Sequence, residues 1–342
     1  MMKTYWKIGL IVILLVSFSL SLPSHVVDAK EKKRIIVGGL SAPLIAGMGK
    51  GWFGEELEVE LIRIPNFMHY PPMLAAGKIH IMESYPAMNL WNMIHEGADF
   101  KIISGGGQCS AAEGNEPARN IRGFVVRKDL YDKGEIREIK DLRGKKVADF
   151  APAPRKGAIS PFPIGHRIFG KTYGEIEWIH IPRDLDCLLA LEKKDVVAAR
   201  MRTTYTNMAV RKGIGVELFK ETDFFPKFQG SIIVAKEKFL KENHETAVIF
   251  LRAYQKALKF VREAQQGQHT KEYEMINKQL KYVPEEVAFD LLEAYKYTDE
   301  IDRNDLTLMQ NHFVMTGSQV KFIPLDQVID LKYLNEAKKG IK

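Results

Sequence analysis

The sequence predicts an α/β protein in which one unit of alternating strands and helices is interrupted by a second, with a helical tail after both. Three observations predict it. A short apolar run leading into a hydroxyl-plus-proline helix start occurs at Ser41-Ala42-Pro43 and again at Ser84-Tyr85-Pro86, and the same start recurs at Ser160-Pro161. Two apolar runs, Gly123–Arg127 and Gly230–Lys236, read as extended crossings that enter and leave the second unit. Beyond Glu237 the apolar residues fall at helical spacing, as in Ala247, Phe250, Leu251, Tyr254 and Leu258.

The elements follow in order. Ile35–Val37 is a strand that Gly38-Gly39 breaks, and Ser41 caps a helix over Leu44–Met48. Leu57–Ile64 is a second strand, Pro71-Pro72 starts a short helix ended by Gly77, and Ile79–Met82 is a third strand. A helix with Met88, Leu90, Trp91 and Ile94 ends at Gly97, and Lys101–Ser104 is the next strand. Gly105-Gly106-Gly107 lacks the spacing of a dinucleotide or phosphate loop and reads as a flexible loop.

The second unit has strands at 146–150, 177–181, 196–199 and 216–219. Its helices start at Ser160, at Asp184 and at Thr203 or Thr204, and a Pro- and Gly-rich loop covers 151–158. The tail has helices over 237–265, 270–280, 284–297, 306–316 and 331–337.

Residues 1–29 read as a secretory signal: Lys3 and Lys7, an apolar stretch from Ile8 to Leu22, and Val27-Asp28-Ala29 as a cleavage site. An uncleaved anchor is the alternative. The chain of about 310 residues left after cleavage suggests two domains, over 30–124 with 231–342 and over 125–230. Its charge, +7 over the full sequence, is mild and dispersed, and no aromatic-basic repeat points to nucleic acid. Cys109 and Cys187 are the two cysteines; they could pair, but nothing in the sequence brings them together. His69 and His80 have no paired metal spacing, so neither a metal nor another cofactor is expected.

Open α/β sheets bind ligands beyond the carboxyl ends of their strands. The candidates there are Ser41, Asn66, Phe67, Ser84, Tyr85 and Gln108 from the first unit. From the second they are Arg155, Ser160, Phe162, Asp184, Arg202 and Tyr205. Helix starts at Ser41, Ser84 and Ser160 favour an anionic group. Residues 153–212 hold 11 lysines and arginines against 6 acids, and Arg202, directly after a strand, is the best clamp for a carboxylate or sulfonate. Arg155, Arg183 and Arg200 read equally well as a solvated face. Tyr85, Phe162 and Tyr205 suit either a ring-bearing ligand or ordinary packing. Glu83 is read as satisfied by a nearby base, or else as a partner for an amine or ring nitrogen. No Gly-x-Ser-x-Gly elbow is present, and no catalytic residue is assigned.

Six motifs in order resemble the substrate-binding proteins of ABC importers in the nitrate, sulfonate and taurine class, which includes pyrimidine-precursor binders. They are Ala42-Pro43-Leu44 with Gly49–Phe53, Met73–Ile79, Ser84–Ala87, Asp141–Val147, Ile232–Lys236 and Asp330–Ala337. The resemblance implies a periplasmic-binding-protein type II-like fold, with two lobes hinged by two strands and the helical tail on the first lobe. It implies a monomeric extracytoplasmic binder of a small organic anion that delivers its solute to an ABC permease. The alternatives are a binder of a neutral or cationic pyrimidine-like vitamin precursor and a membrane-anchored sensor. His80 and Glu83 depart from the family's pattern and bear on the ligand subclass. The cysteine-rich segment of relatives that build a pyrimidine from their own side chains is absent.

Overall fold

Strand β1 (Lys33–Gly38) buries Ile35 and Val37 and pairs in parallel with β2 (Leu57–Ile62) on one side and β3 (Ile81–Ser84) on the other. The computed structural model describes residues 32–64, 67–114, 117–119, 122–149, 160, 162–281 and 290–340. The expected signal segment lies outside the described residues. Among those described, no helix is long and apolar enough to cross a membrane.

The remaining strands are β4 (Phe100–Ser110), β5 (Arg122–Arg127), β6 (Lys146–Asp149), β7 (Glu177–His180), β8 (Ala198–Arg202), β9 (Gly215–Lys220) and β10 (Lys227–Lys236). They form two sheets, ordered β2-β1-β3-β10-β4 and β7-β6-β8-β5-β9. The plan repeats. Three parallel strands are followed by one strand antiparallel to both of its neighbours, β10 in the first sheet and β5 in the second. The chain enters the second lobe on β5 and returns to the first on β10.

Gly123–Arg127 and Gly230–Lys236, expected as crossings, are therefore inner strands of the two sheets. Their unbroken apolar cores fit that position, because a strand covered on both faces has no polar side to show. Phe124, Val125 and Val126 in β5 and Ile232–Ala235 in β10 are fully buried.

Two other expectations change. The third strand lies two residues later than its apolar run suggested, so Glu83 and Ser84 close it. His80 sits just before it, where its Nδ1 accepts the Ile36 N–H at 2.9 Å and its ring stacks on Phe239. Gly105–Gly107 belongs to the eleven-residue β4 and not to a flexible loop. The glycines provide clearance. A Cβ on Gly106 would lie 2.7 Å from Glu83 Oε1, and one on Gly107 would lie 2.8 Å from the Tyr295 side chain.

Apolar layers cover both faces of the first sheet. On one face lie the helices 42–49, 244–265 and 332–339, with Phe53 stacked on Phe250 at 5.2 Å. Helices 88–95 and 303–315 pack on the other with Trp91, Leu306 and Phe313. The tail thus packs on the first lobe. The expected helix over 237–265 divides at Asn243, and residues 294–297 are not helical, with Lys296 bridged to Gln108.

Candidate functional site

A cavity of about 220 Å³ lies where the carboxyl ends of β3 and β8 and the segment after β1 converge, with walls from both lobes. Eight of the expected residues line it: Ser41, Phe67, Ser84, Tyr85, Phe162, Asp184, Arg202 and Tyr205. Asn66 and Arg155 lie outside the described residues. Gln108 is not brought to the cavity; it is buried in β4, where its backbone exchanges two hydrogen bonds with Lys296. Ser160 is also absent from the lining. Its Oγ accepts the Phe162 N–H at 3.2 Å, and its carbonyl faces His312 Nε2 at 3.0 Å.

Only one of the three expected serine caps forms. Ser41 Oγ accepts the Leu44 N–H at the start of helix 42–49. The helices after Ser84 and Ser160 begin later, at Met88 and Pro163: Ser84 closes β3, and Ser160 lies three residues ahead of its helix. Asp184 and Thr203 are first residues of their helices and not caps. Ser84 Oγ, buried in the cavity wall, has no hydrogen-bond partner among the described residues.

An aromatic series spans the cleft. Phe67 meets Tyr85 edge-on at 5.9 Å, Tyr85 lies 6.4 Å from Phe162, and Phe162 is 6.3 Å from Phe313. Tyr85 and Phe67 come from the first lobe and Phe162 from the second. Offset and edge contacts of this kind leave ring faces for a planar ligand.

Glu83 forms part of the lining on the first-lobe side and is 6 % exposed. Among the described residues no base satisfies it, contrary to the first reading of this residue. Ser41 Oγ donates to Oε2 at 2.6 Å, Ser231 Oγ donates to Oε1 at 3.1 Å, and the Tyr254 hydroxyl lies beside them. Burial pushes its carboxyl up to about 7, and the three hydroxyls only partly offset this. Burial likewise raises Glu217 to about 7 and Asp305 to about 6.

These shifts set a pH dependence. Between about 4.5 and 7 the unfolded chain has released the Glu83 proton while the folded chain keeps it, so stability is full below that window and falls as pH rises through it. Denaturant midpoints at pH 5 and pH 7.5 should show this fall. Glu83→Gln should make the slope shallower, with Glu217 and Asp305 carrying the remainder.

The second-lobe wall is charged but internally neutralised. Arg200, on the same face of β8 as Arg202, is 5 % exposed and binds Asp149 at 3.2 Å and Glu221 at 3.0 Å. It does not lie on a solvated face; Arg183 does, paired with Asp186. Arg202 Nε donates to Asp184 Oδ2 at 2.7 Å, its backbone N–H donates to Oδ1 at 2.9 Å, and Arg122 approaches the same carboxylate at 3.5 Å. Burial raises the Asp184 carboxyl, but Arg202 and Arg122 outweigh it and hold it below the ordinary value. Glu221 Oε2 is buried without a partner among the described residues.

Sequence reasoning missed Tyr70, Arg122, Glu221, Ser231 and Tyr295, all in the lining. Arg200 was legible in principle, because residues two apart on a strand share a face with each other. Tyr295 carried no local signal: it rests on Gly107 and Gly230, contributed by β4 and β10.

A family model described as NMT1/THI5 like matches residues 40–268. The chain belongs to the NMT1/THI5-like family. No curated protein matches it in sequence. Among solved structures it is similar to the alkanesulfonate-binding protein SsuA from Xanthomonas axonopodis pv. citri bound to MOPS. The TM-score is 0.65 at 13% identity, over 88% of this chain and 99% of that one. The periplasmic nitrate-binding protein NrtA from Synechocystis PCC 6803 gives a TM-score of 0.65 at 14% identity, over 91% and 90% of the two chains. The desulfurization enzyme DSZB gives 0.63 at 13%, over 90% and 99%. The fold of this family member is thus that of the two-lobed periplasmic binding proteins, type II-like. Binders and an enzyme share it, so its function has to be read from the cleft.

Proposed function

We propose that the chain is an exported, monomeric solute-binding protein that holds a small ring-bearing solute between its lobes and hands it to an ABC permease. Family membership and fold support the class, and the aromatic series from both lobes supports a ring. The charge of the solute is carried by one observation: Arg122, Arg200 and Arg202 already face protein carboxylates, whereas the carboxylate oxygen Glu221 Oε2 is buried with no hydrogen-bond partner among the described residues. Buried acceptors left unpaired are costly, and a ligand that donates N–H groups relieves that cost. A neutral or cationic nitrogen heterocycle, the alternative drawn from the sequence, therefore leads over the small organic anion.

The reading is of a binder and not an enzyme. Cys109 and Cys187 are buried and neither lines the cavity, and the Ser41 hydroxyl is held between Glu83 and the helix it caps.

Benzamide and benzoate have the same shape and differ in charge and in donors. In a thermal-shift titration, benzamide should raise the melting temperature with concentration more than benzoate does, since a ligand stabilises only the state it binds. Stabilisation by benzoate alone would return the assignment to an anion.

A further inference from the structure

Arg122, Arg200 and Arg202 in the cleft face carboxylates, but Glu83 is a buried carboxylate whose hydrogen bonds come from hydroxyls. We propose that Glu83 determines the charge specificity of the cleft: it takes a protonated nitrogen of the solute, an amidinium or ammonium, and gives up its own proton when that cation arrives. The proposal rests on the solute-binding reading above and names its ligand class.

The geometry suits a cation. The carboxylate lies in the cavity wall where β3 ends, beside Gly106, whose missing side chain leaves room for Oε1. Four ionisable side chains lie close enough to feel its charge: Tyr254 from helix 244–265, Tyr70 from helix 70–75, and Tyr295 and Tyr297 from the non-helical segment after residue 293. Burial pushes all four phenols up, so they stay uncharged; Tyr70, Tyr295 and Tyr297 donate to backbone carbonyls, and Tyr254 is the one beside the carboxylate. Ser41 and Ser231 complete the shell from the start of helix 42–49 and from β10.

Charges lie elsewhere on the same cavity: Arg63, Arg122, Arg200 and Arg202 with Asp184 and Glu221. A neutral shell desolvates the carboxyl without compensating its charge and keeps much of it protonated at neutral pH, which agrees with its raised value of about 7. A cation placed against it favours the ionised form. The balance is simple: cation plus Glu83 carboxylic acid gives the cation–carboxylate pair plus one proton released to solvent.

Isothermal titration with benzamidine, a permanent cation near neutral pH, and with benzamide, its neutral isostere, tests this. At pH 7, titrations in phosphate and in Tris buffer report the protons released. Benzamidine is expected to bind at least tenfold tighter than benzamide and to release roughly half a proton per ligand at a site half-protonated near pH 7. Glu83→Gln should bring the two ligands within about threefold and abolish the release. Equal binding of benzamide and benzamidine by the native protein, or benzamidine binding with no proton released, overturns the proposal without any variant. Retention of preference and release by Glu83→Gln also overturns it. If benzamide binds without preference, only the role of Glu83 fails; if neither compound binds, the solute-binding reading fails with it.

Discussion

Arg200→Met is expected to destabilise the protein by about 3–5 kcal/mol, the usual cost of removing one partner from a buried ion pair. The guanidinium is held between Asp149 and Glu221, and all three side chains are at least 95 % buried. Burial opposes the Arg200 charge, but the two carboxylates outweigh it and raise its pKa further. Methionine matches much of the stem and none of the charge, so two carboxylates would be left facing each other. Urea denaturation monitored by tryptophan fluorescence measures the effect. A midpoint equal to that of the native protein would mean that Arg200 does not hold this wall together.

Asp184→Asn should have two effects of opposite sense. It removes the carboxylate that accepts both the backbone N–H and the side chain of Arg202, and stability should fall by about 3–5 kcal/mol. It also leaves Arg202, 44 % exposed at its side chain, without its carboxylate. The cleft should then accept an anion: benzoate should gain about 1.5–3 kcal/mol, the worth of a hydrogen bond to a charged group. Titration of benzoate into native and variant protein checks this. An unchanged benzoate affinity would show that Asp184 does not mask an anion site.

These two residues also show how far the sequence could be read. Alternating apolar strands and helices announced two α/β lobes, and Ser41-Ala42-Pro43 announced a capped helix, because both signals are local. Tyr85 and Phe162 could be placed at the cleft because each follows a recognisable strand or helix start. What Arg202 does was not legible: a guanidinium after a strand looks like a ligand clamp until its partner, eighteen residues earlier in the chain, is seen beside it. Glu83 met the same limit, since its partners Ser231 and Tyr254 belong to β10 and to the long helix of the tail. The glycine run in β4 misled for a related reason. Three glycines signal flexibility when neighbours are unknown and clearance once Glu83 and Tyr295 are placed against them.

The central claim is that the two lobes enclose a small ring-bearing solute with N–H donors. Native mass spectrometry of the protein purified without refolding tests it most directly, since a closed cleft retains what it has captured. The account predicts a single small adduct that fragments as a nitrogen-bearing ring compound and is lost from Phe162→Ala. A sulfonate or carboxylate adduct, or one that Phe162→Ala retains in full, would contradict it.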